Sequence, residues 1–124
     1  MIKGLGTDII EVDRMKKRLN NEPDFTLTIF TKDEIKYCES FKFKEQNYAA
    51  RFAAKEAFLK ALGTGWRDGL SFDQIEIIND EFGKPHIKTY NKASETLNKM
   101  QIKNIHISLS HTKDYAMSTV ILES

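Results

Sequence analysis

Only one cysteine, Cys38, occurs in the 124 residues, so no disulfide can close within the chain and no thiolate metal cluster can be built from it. A lone cysteine of this type is read as a packing residue. Excess charge of one sign is also missing: 19 Lys and Arg against 18 Asp and Glu leave a formal net charge of +1. That balance excludes a general polyanion binder held by many unpaired cations, and no nucleic-acid partner is expected. No apolar run approaches the roughly 18–20 residues of a membrane-crossing helix, and Met1-Ile2-Lys3-Gly4 leads straight into a strand-like pattern rather than a signal peptide. A cytoplasmic protein without a membrane partner is expected. Neither a Walker-type Gly-x-x-x-x-Gly-Lys-Ser/Thr loop nor a Gly-x-Ser-x-Gly nucleophile elbow is present, and there is no repeat, low-complexity tract or Gly/Ser linker. What remains is 40% hydrophobic and 30% charged residues, an ordinary globular composition at the length of one domain, so residues 1–124 are expected to share one core.

The hydrophobic pattern predicts the elements. Residues 2–10 read as a strand in which Gly4 and Gly6 permit close backbone approach. Val12, Met15 and Leu19 mark a short amphipathic helix up to about Asn20, ended by Pro23, with its cations outward. Thr31-Lys32-Asp33-Glu34 fits a capping box, opening a helix to about Phe41. The clearest element is a helix over 45–62, rich in alanine and stopped by Gly63 and Gly65. Two strands, 75–78 and 85–89, flank a turn at Asp80-Glu81-Phe82-Gly83-Lys84. A helix over 91–100 follows, and then an antiparallel hairpin from the alternation at 105–110 and the apolar run 116–122. The fold class is α+β (mixed α/β), with a long central helix packed on a largely antiparallel sheet.

Few residues stand out chemically. Asp8 lies in a strand between glycine and aliphatics, where aspartate has poor propensity. Glu56 lies on the long helix beside Phe52, Ala53 and Leu59, with Lys60 one turn later. Alone, Asp8 could serve a turn, and a Glu–Lys pair at this spacing is commonly a surface contact. Two isolated carboxylates that both head for the core also make a hard oxygen site of the kind Mg²⁺ prefers. Zinc is not indicated without a His or Cys set. Ser108-Leu109-Ser110-His111-Thr112 puts hydroxyls and an imidazole at a strand end, where a structural histidine and a ligand contact are both open readings. Arg14-Met15-Lys16-Lys17-Arg18 packs four cations into five residues, either a solvated face or a patch for an acidic partner.

Together, Gly4-Leu5-Gly6-Thr7-Asp8-Ile9-Ile10, the run from Arg51 through Lys55-Glu56-Ala57 and Lys60 to Gly63-Thr64-Gly65, and Ser108-Leu109-Ser110-His111 resemble the holo-acyl-carrier-protein synthase family, of the 4'-phosphopantetheinyl transferase superfamily and fold. The resemblance spans nearly the whole chain. It implies a Mg²⁺-dependent enzyme that moves 4'-phosphopantetheine from coenzyme A to a serine of apo-acyl-carrier protein, in support of fatty acid biosynthesis. It further implies Asp8 and Glu56 as metal ligands and, with Lys60, as the catalytic set. Lys42, Lys44, Arg51, Gly63, Gly65, Ser110, His111 and Thr112 are then contacts of coenzyme A, and Arg14, Lys17 and Arg18, with Lys16, dock the acidic carrier. The family's assembly implies a homotrimer with active sites between subunits. The competing reading is a non-catalytic basic module that binds an acidic protein.

Overall fold

The computed structural model describes residues 1–66 and 69–124. Strand β1 (Ile2–Glu11) leads into helix α1 (Val12–Asn21), the short α2 (Phe25–Ile29), α3 (Lys32–Glu39) and the long α4 (Lys44–Leu62). A single 3-10 turn, Phe72–Gln74, opens β2 (Ile75–Asn79), which pairs antiparallel with β3 (Pro85–Thr89). Helix α5 (Asn91–Lys99) and the hairpin β4 (Asn104–His111) and β5 (Tyr115–Glu123) complete the chain. The main sheet is antiparallel in the order β1-β5-β4, and β2-β3 forms a second, two-stranded sheet.

Strand alternation gives the main sheet two unlike faces. On one face the rows Gly6–Val120–Ile107, Asp8–Ser118–Leu109 and Ile10–Ala116–His111 run across the three strands. Helix α4 covers this face. A methyl group added at Gly6 would fall 2.0 Å from the carbonyl oxygen of Ala57, and one at Gly4 2.0 Å from that of Ala61, so helix and strand touch backbone to backbone. Alanines at 49, 50, 53, 54, 57 and 61 are all buried, which is why a helix of such small side chains can lie this low.

The core runs along α4 in two parts. Its first half packs with Met15, Phe25, Phe30, Cys38 and Tyr48, while its second half packs Phe58, Leu59 and Leu62 against Ile75, Ile77, Leu97, Val120 and Leu122. Cys38 is fully buried, and burial pushes its thiol up to about 12, so it packs as expected and is not a nucleophile. The expected capping box forms at Thr31 and Glu34. Gly63, at φ +77°, ends α4 with its N–H donated to the carbonyls of Leu59 and Lys60. The turn before β3 is closed by Gly83 at φ +82° and by Asp80, whose carboxylate accepts from the N–H groups of Phe82 and Lys84.

Three details differ from expectation. Helix α3 ends at Glu39, short of Phe41, and a five-residue helix fills the stretch after Pro23. Glu34 does more than cap. Its side chain is fully buried and accepts from Lys55 Nζ at 2.8 Å and from the Ile77 N–H at 2.9 Å, and Lys55 also donates to the carbonyls of Phe72 and Ile75. This buried pair joins α3, α4 and β2, with every charge met by a hydrogen bond. No described helix is long and apolar enough to cross a membrane.

Candidate active site

Asp8 and Glu56 are brought together by the close seat of α4 on β1. Because Gly6 lies beneath Ala57, the next inward-facing strand residue, Asp8, falls under the preceding turn of the helix, where Glu56 projects. Burial first, and then the Asp8 carboxylate, push the Glu56 pKa up, while Lys60 and the Trp66 indole draw it down. Lys60 does not pair with its helical neighbour. Its Nζ lies 3.0 Å from Asp8 Oδ1 and 3.0 Å from the carbonyl oxygen of Thr7.

Two carboxylates held near each other in a half-buried place call for a cation. Among the described residues no third His, Cys, Asp or Glu joins them, so the protein offers two hard oxygen donors and leaves other positions to water or to a ligand's oxygens. That fits Mg²⁺, which keeps several waters and takes one or two carboxylates beside phosphate, and does not fit zinc.

The remaining expected contacts lie in separate places. Gly63 and Gly65 follow Lys60 at the end of α4, exposed, with positive φ and open space where a Cβ would stand. Lys42 and Lys44 lie at the other end of the helix, where Lys44 Nζ pairs with Glu39 at 3.2 Å. With 1.5 Å of rise per residue, Lys44 is about 18 Å from Glu56 along the axis. Arg51 is drawn inward, 3% exposed, its guanidinium 3.9 Å from the centre of the Tyr37 ring and donating to Asn79. Ser110 is on the open face of the sheet and His111 on the helix side, two strands from Asp8; both are exposed. With Thr112, whose hydroxyl accepts from the N–H groups of Asp114 and Tyr115, they border a small cavity of about 80 Å³.

On α1, Lys17 pairs with Asp13 at 3.1 Å, and Arg18 pairs with Glu22 at 3.0 Å with its guanidinium 4.0 Å from the Phe25 ring centre. Arg14 and Lys16 are exposed and have no ion pair among the described residues. Lys16 also borders a groove of about 660 Å³ with Phe43, Gln46 and Lys113.

Two neighbours of the carboxylates escaped the sequence reading. Ser118 stands directly across from Asp8, 1% exposed, with its hydroxyl unpartnered among the described residues. Only strand register reveals it, since nothing in a serine before an apolar run marks it out. Trp66, its ring tilted 41° to that of Phe72 at 3.8 Å between ring centres, comes beside Glu56. Its signal was there: the chain's one tryptophan, just past the glycines that end the helix.

Known proteins share this sequence and fold. The profile of the 4'-phosphopantetheinyl transferase superfamily matches residues 4–120. A holo-[acyl-carrier-protein] synthase of a Geobacter species is 48% identical over 124 residues, covering 99% of both chains. The crystal structure of holo-[acyl-carrier-protein] synthase from Neisseria meningitidis superposes with a TM-score of 0.88 at 36% identity, covering 100% of each chain. That of the Bacillus anthracis enzyme in complex with CoA (3',5'-ADP) does so at 0.83 and 39%, covering 100% of this chain and 98% of that one. With a profile match over most of its length and such relatives, the chain belongs to the 4'-phosphopantetheinyl transferase superfamily.

Proposed function

We propose that this protein transfers the 4'-phosphopantetheine arm of coenzyme A to a serine of apo-acyl-carrier protein, as a holo-[acyl-carrier-protein] synthase. The observation that carries the chemistry is the meeting of Asp8, Glu56 and Lys60 across the β1–α4 contact. The serine oxygen bonds to the phosphorus that bears the pantetheine arm. The bond from that phosphorus to the diphosphate bridge breaks, and adenosine 3',5'-bisphosphate leaves. Such displacements depend on alignment and on neutralising charge at equatorial and leaving oxygens.

Asp8 and Glu56 would hold Mg²⁺, which when bound supplies charge neutralisation at the diphosphate. Lys60, on a flexible four-carbon stem, sets an ammonium against a leaving oxygen. The serine proton passes to a carboxylate of the pair. Ser110, His111, Thr112, Lys42, Lys44, Gly63 and Gly65 serve the nucleotide end of coenzyme A. Since Lys44 and Glu56 are about 18 Å apart along α4, such a contact set spans a long ligand or two subunits. A homotrimer with shared sites supplies the second arrangement. A reducing compartment such as the cytoplasm suits the single buried thiol.

Carrier docking falls to α1. Arg14 and Lys16 are its exposed cations without an intramolecular ion pair among the described residues, so an acidic helix gains most there, by a long-range attraction that salt screens. Reversing both to glutamate raises KM for the carrier several-fold at low salt and leaves the KM for coenzyme A unchanged; steady-state kinetics with equal carrier KM values rules the docking face out. For the reaction itself, the protein is incubated with coenzyme A, Mg²⁺ and apo carrier, and the carrier is weighed by mass spectrometry. The carrier gains the mass of the phosphopantetheine arm. A stable complex with unchanged carrier mass would overturn the transferase reading in favour of a binding module.

A further inference from the structure

Lys60 is paired with one of the two carboxylates that would hold a metal. Helix geometry offers it Glu56, four residues earlier, as its nearest acid. Its ammonium instead lies 3.0 Å from Asp8 Oδ1, with the Thr7 carbonyl oxygen as second acceptor. The Asp8 side chain is 17% exposed and that of Lys60 55%, so the ammonium closes Asp8 from the solvent side. A divalent ion on the same carboxylate would face this ammonium at about 4–5 Å, a repulsion of about 2 kcal/mol even at the dielectric constant of water. The two cations therefore compete for Asp8.

We infer that Lys60 is a place-holding cation, neutralising Asp8 while no divalent ion is bound and swinging off it when one enters, towards the diphosphate of the donor. The inference rests on the reading of Asp8 and Glu56 as metal ligands. It gives the site an order of filling. Without a diphosphate, the displaced ammonium has only water to meet, and a divalent ion binds weakly. With one, the ammonium exchanges a carboxylate for a phosphate oxygen, and ion and donor bind cooperatively. The linkage is reciprocal: metal that strengthens diphosphate binding is itself held more tightly by it. The free protein is thereby kept from holding an idle divalent ion, and the two carboxylates are not left to repel each other uncompensated.

The test measures Mn²⁺ binding to the intact chain without coenzyme A, by electron paramagnetic resonance, for wild type, Lys60→Met, Lys60→Gln and Lys60→Arg. Glu56→Gln is added in the wild-type and Lys60→Met backgrounds, and thermal melts report folding. Both neutral variants bind Mn²⁺ about five- to tenfold more tightly than wild type, the size expected for losing one exposed ion pair and one nearby like charge. Lys60→Arg stays near wild type, because the charge remains. Adding ADP as a diphosphate probe tightens Mn²⁺ binding more in wild type than in Lys60→Met. Neutral variants that bind Mn²⁺ no better than wild type, while Glu56→Gln abolishes binding, would overturn the place-holder and leave the ligands in place. Glu56→Gln that binds Mn²⁺ as well as its parent in both backgrounds removes the ligand assignment itself.

Discussion

At Glu56 the demands of catalysis and of folding oppose each other. Burial and the neighbouring Asp8 charge raise its pKa, so the folded protein holds this proton more tightly than the unfolded chain does. Between the ordinary glutamate value and the raised one, the folded state carries more protons, and stability falls as pH rises through that window. Above that window the ionised carboxylate is a net cost, which Lys60 relieves in part and a bound cation would relieve further. Glu56→Gln keeps the shape and removes the charge. In metal-free buffer it is expected to raise Tm by about 2–5 °C, the shift that 0.5–1 kcal/mol gives in a domain of this size. Mg²⁺ should then raise the Tm of wild type but not of the variant, since only the former binds it, and transfer activity should be lost. Paired calorimetric scans with and without Mg²⁺ check this. A variant that melts lower than wild type in metal-free buffer contradicts the repulsion from which the argument starts.

The β1–α4 contact turns two glycines into a positioning device. A methyl at Gly6 would lie 2.0 Å from Ala57 O and one at Gly4 2.0 Å from Ala61 O, both backbone atoms that cannot rotate away. Each alanine substitution should therefore lift the helix and cost about 1–3 kcal/mol, as overpacked sites do. Gly6 is two residues from Asp8, so Gly6→Ala should lower kcat by more than its stability loss explains, whereas Gly4→Ala loses similar stability with less effect on kcat. Urea unfolding read beside kinetics on folded protein separates the two, and equal kcat losses would refute the positioning role. The α3–α4–β2 tie makes a matching case: Lys55→Met leaves Glu34 buried without its cation and should cost about 3–5 kcal/mol, measured by the same urea midpoints.

Sequence reasoning reached these elements unevenly. The glycines of β1 and the alanines of α4 were legible, because each breaks the ordinary preference of its element, and the convergence of Asp8 with Glu56 followed from two acids on elements bound for one core. The capping box was legible from four consecutive residues. The pairing of Glu34 with Lys55 was not, since a buried ion pair between elements leaves no local pattern. Helix α2 escaped because five residues after a proline show no period. Lys60 was assigned correctly to the neighbourhood, but its choice of Asp8 over Glu56 depends on a strand that only tertiary packing brings near.

For the whole molecule, the decisive feature is the sheet face that α4 does not cover. Its rows read Leu5–Ile121–His106, Thr7–Thr119–Ser108 and Ile9–Met117–Ser110. Leu5 and Ile9 are each 64% exposed and Met117 43%, an apolar strip across β1 and β5. Exposed apolar side chains gathered on one face, here on either side of a threonine row, are a common mark of association, and the expected nucleotide contact Ser110 lies at the edge of this face, away from Asp8. If such faces pack in a closed ring, the proposal of shared sites requires one subunit's His111 to serve the next subunit's Glu56. Ile9→Glu is accordingly expected to give monomers in sedimentation velocity runs, with transfer activity lost although the fold survives in circular dichroism. Mixing tests the sharing itself. Glu56→Gln and His111→Ala preparations, each inactive, should on dissociation and reassembly recover up to about a quarter of wild-type activity, because in a random ring one site in four receives both intact residues. Sites contained within single subunits recover none, since every chain carries one lesion or the other.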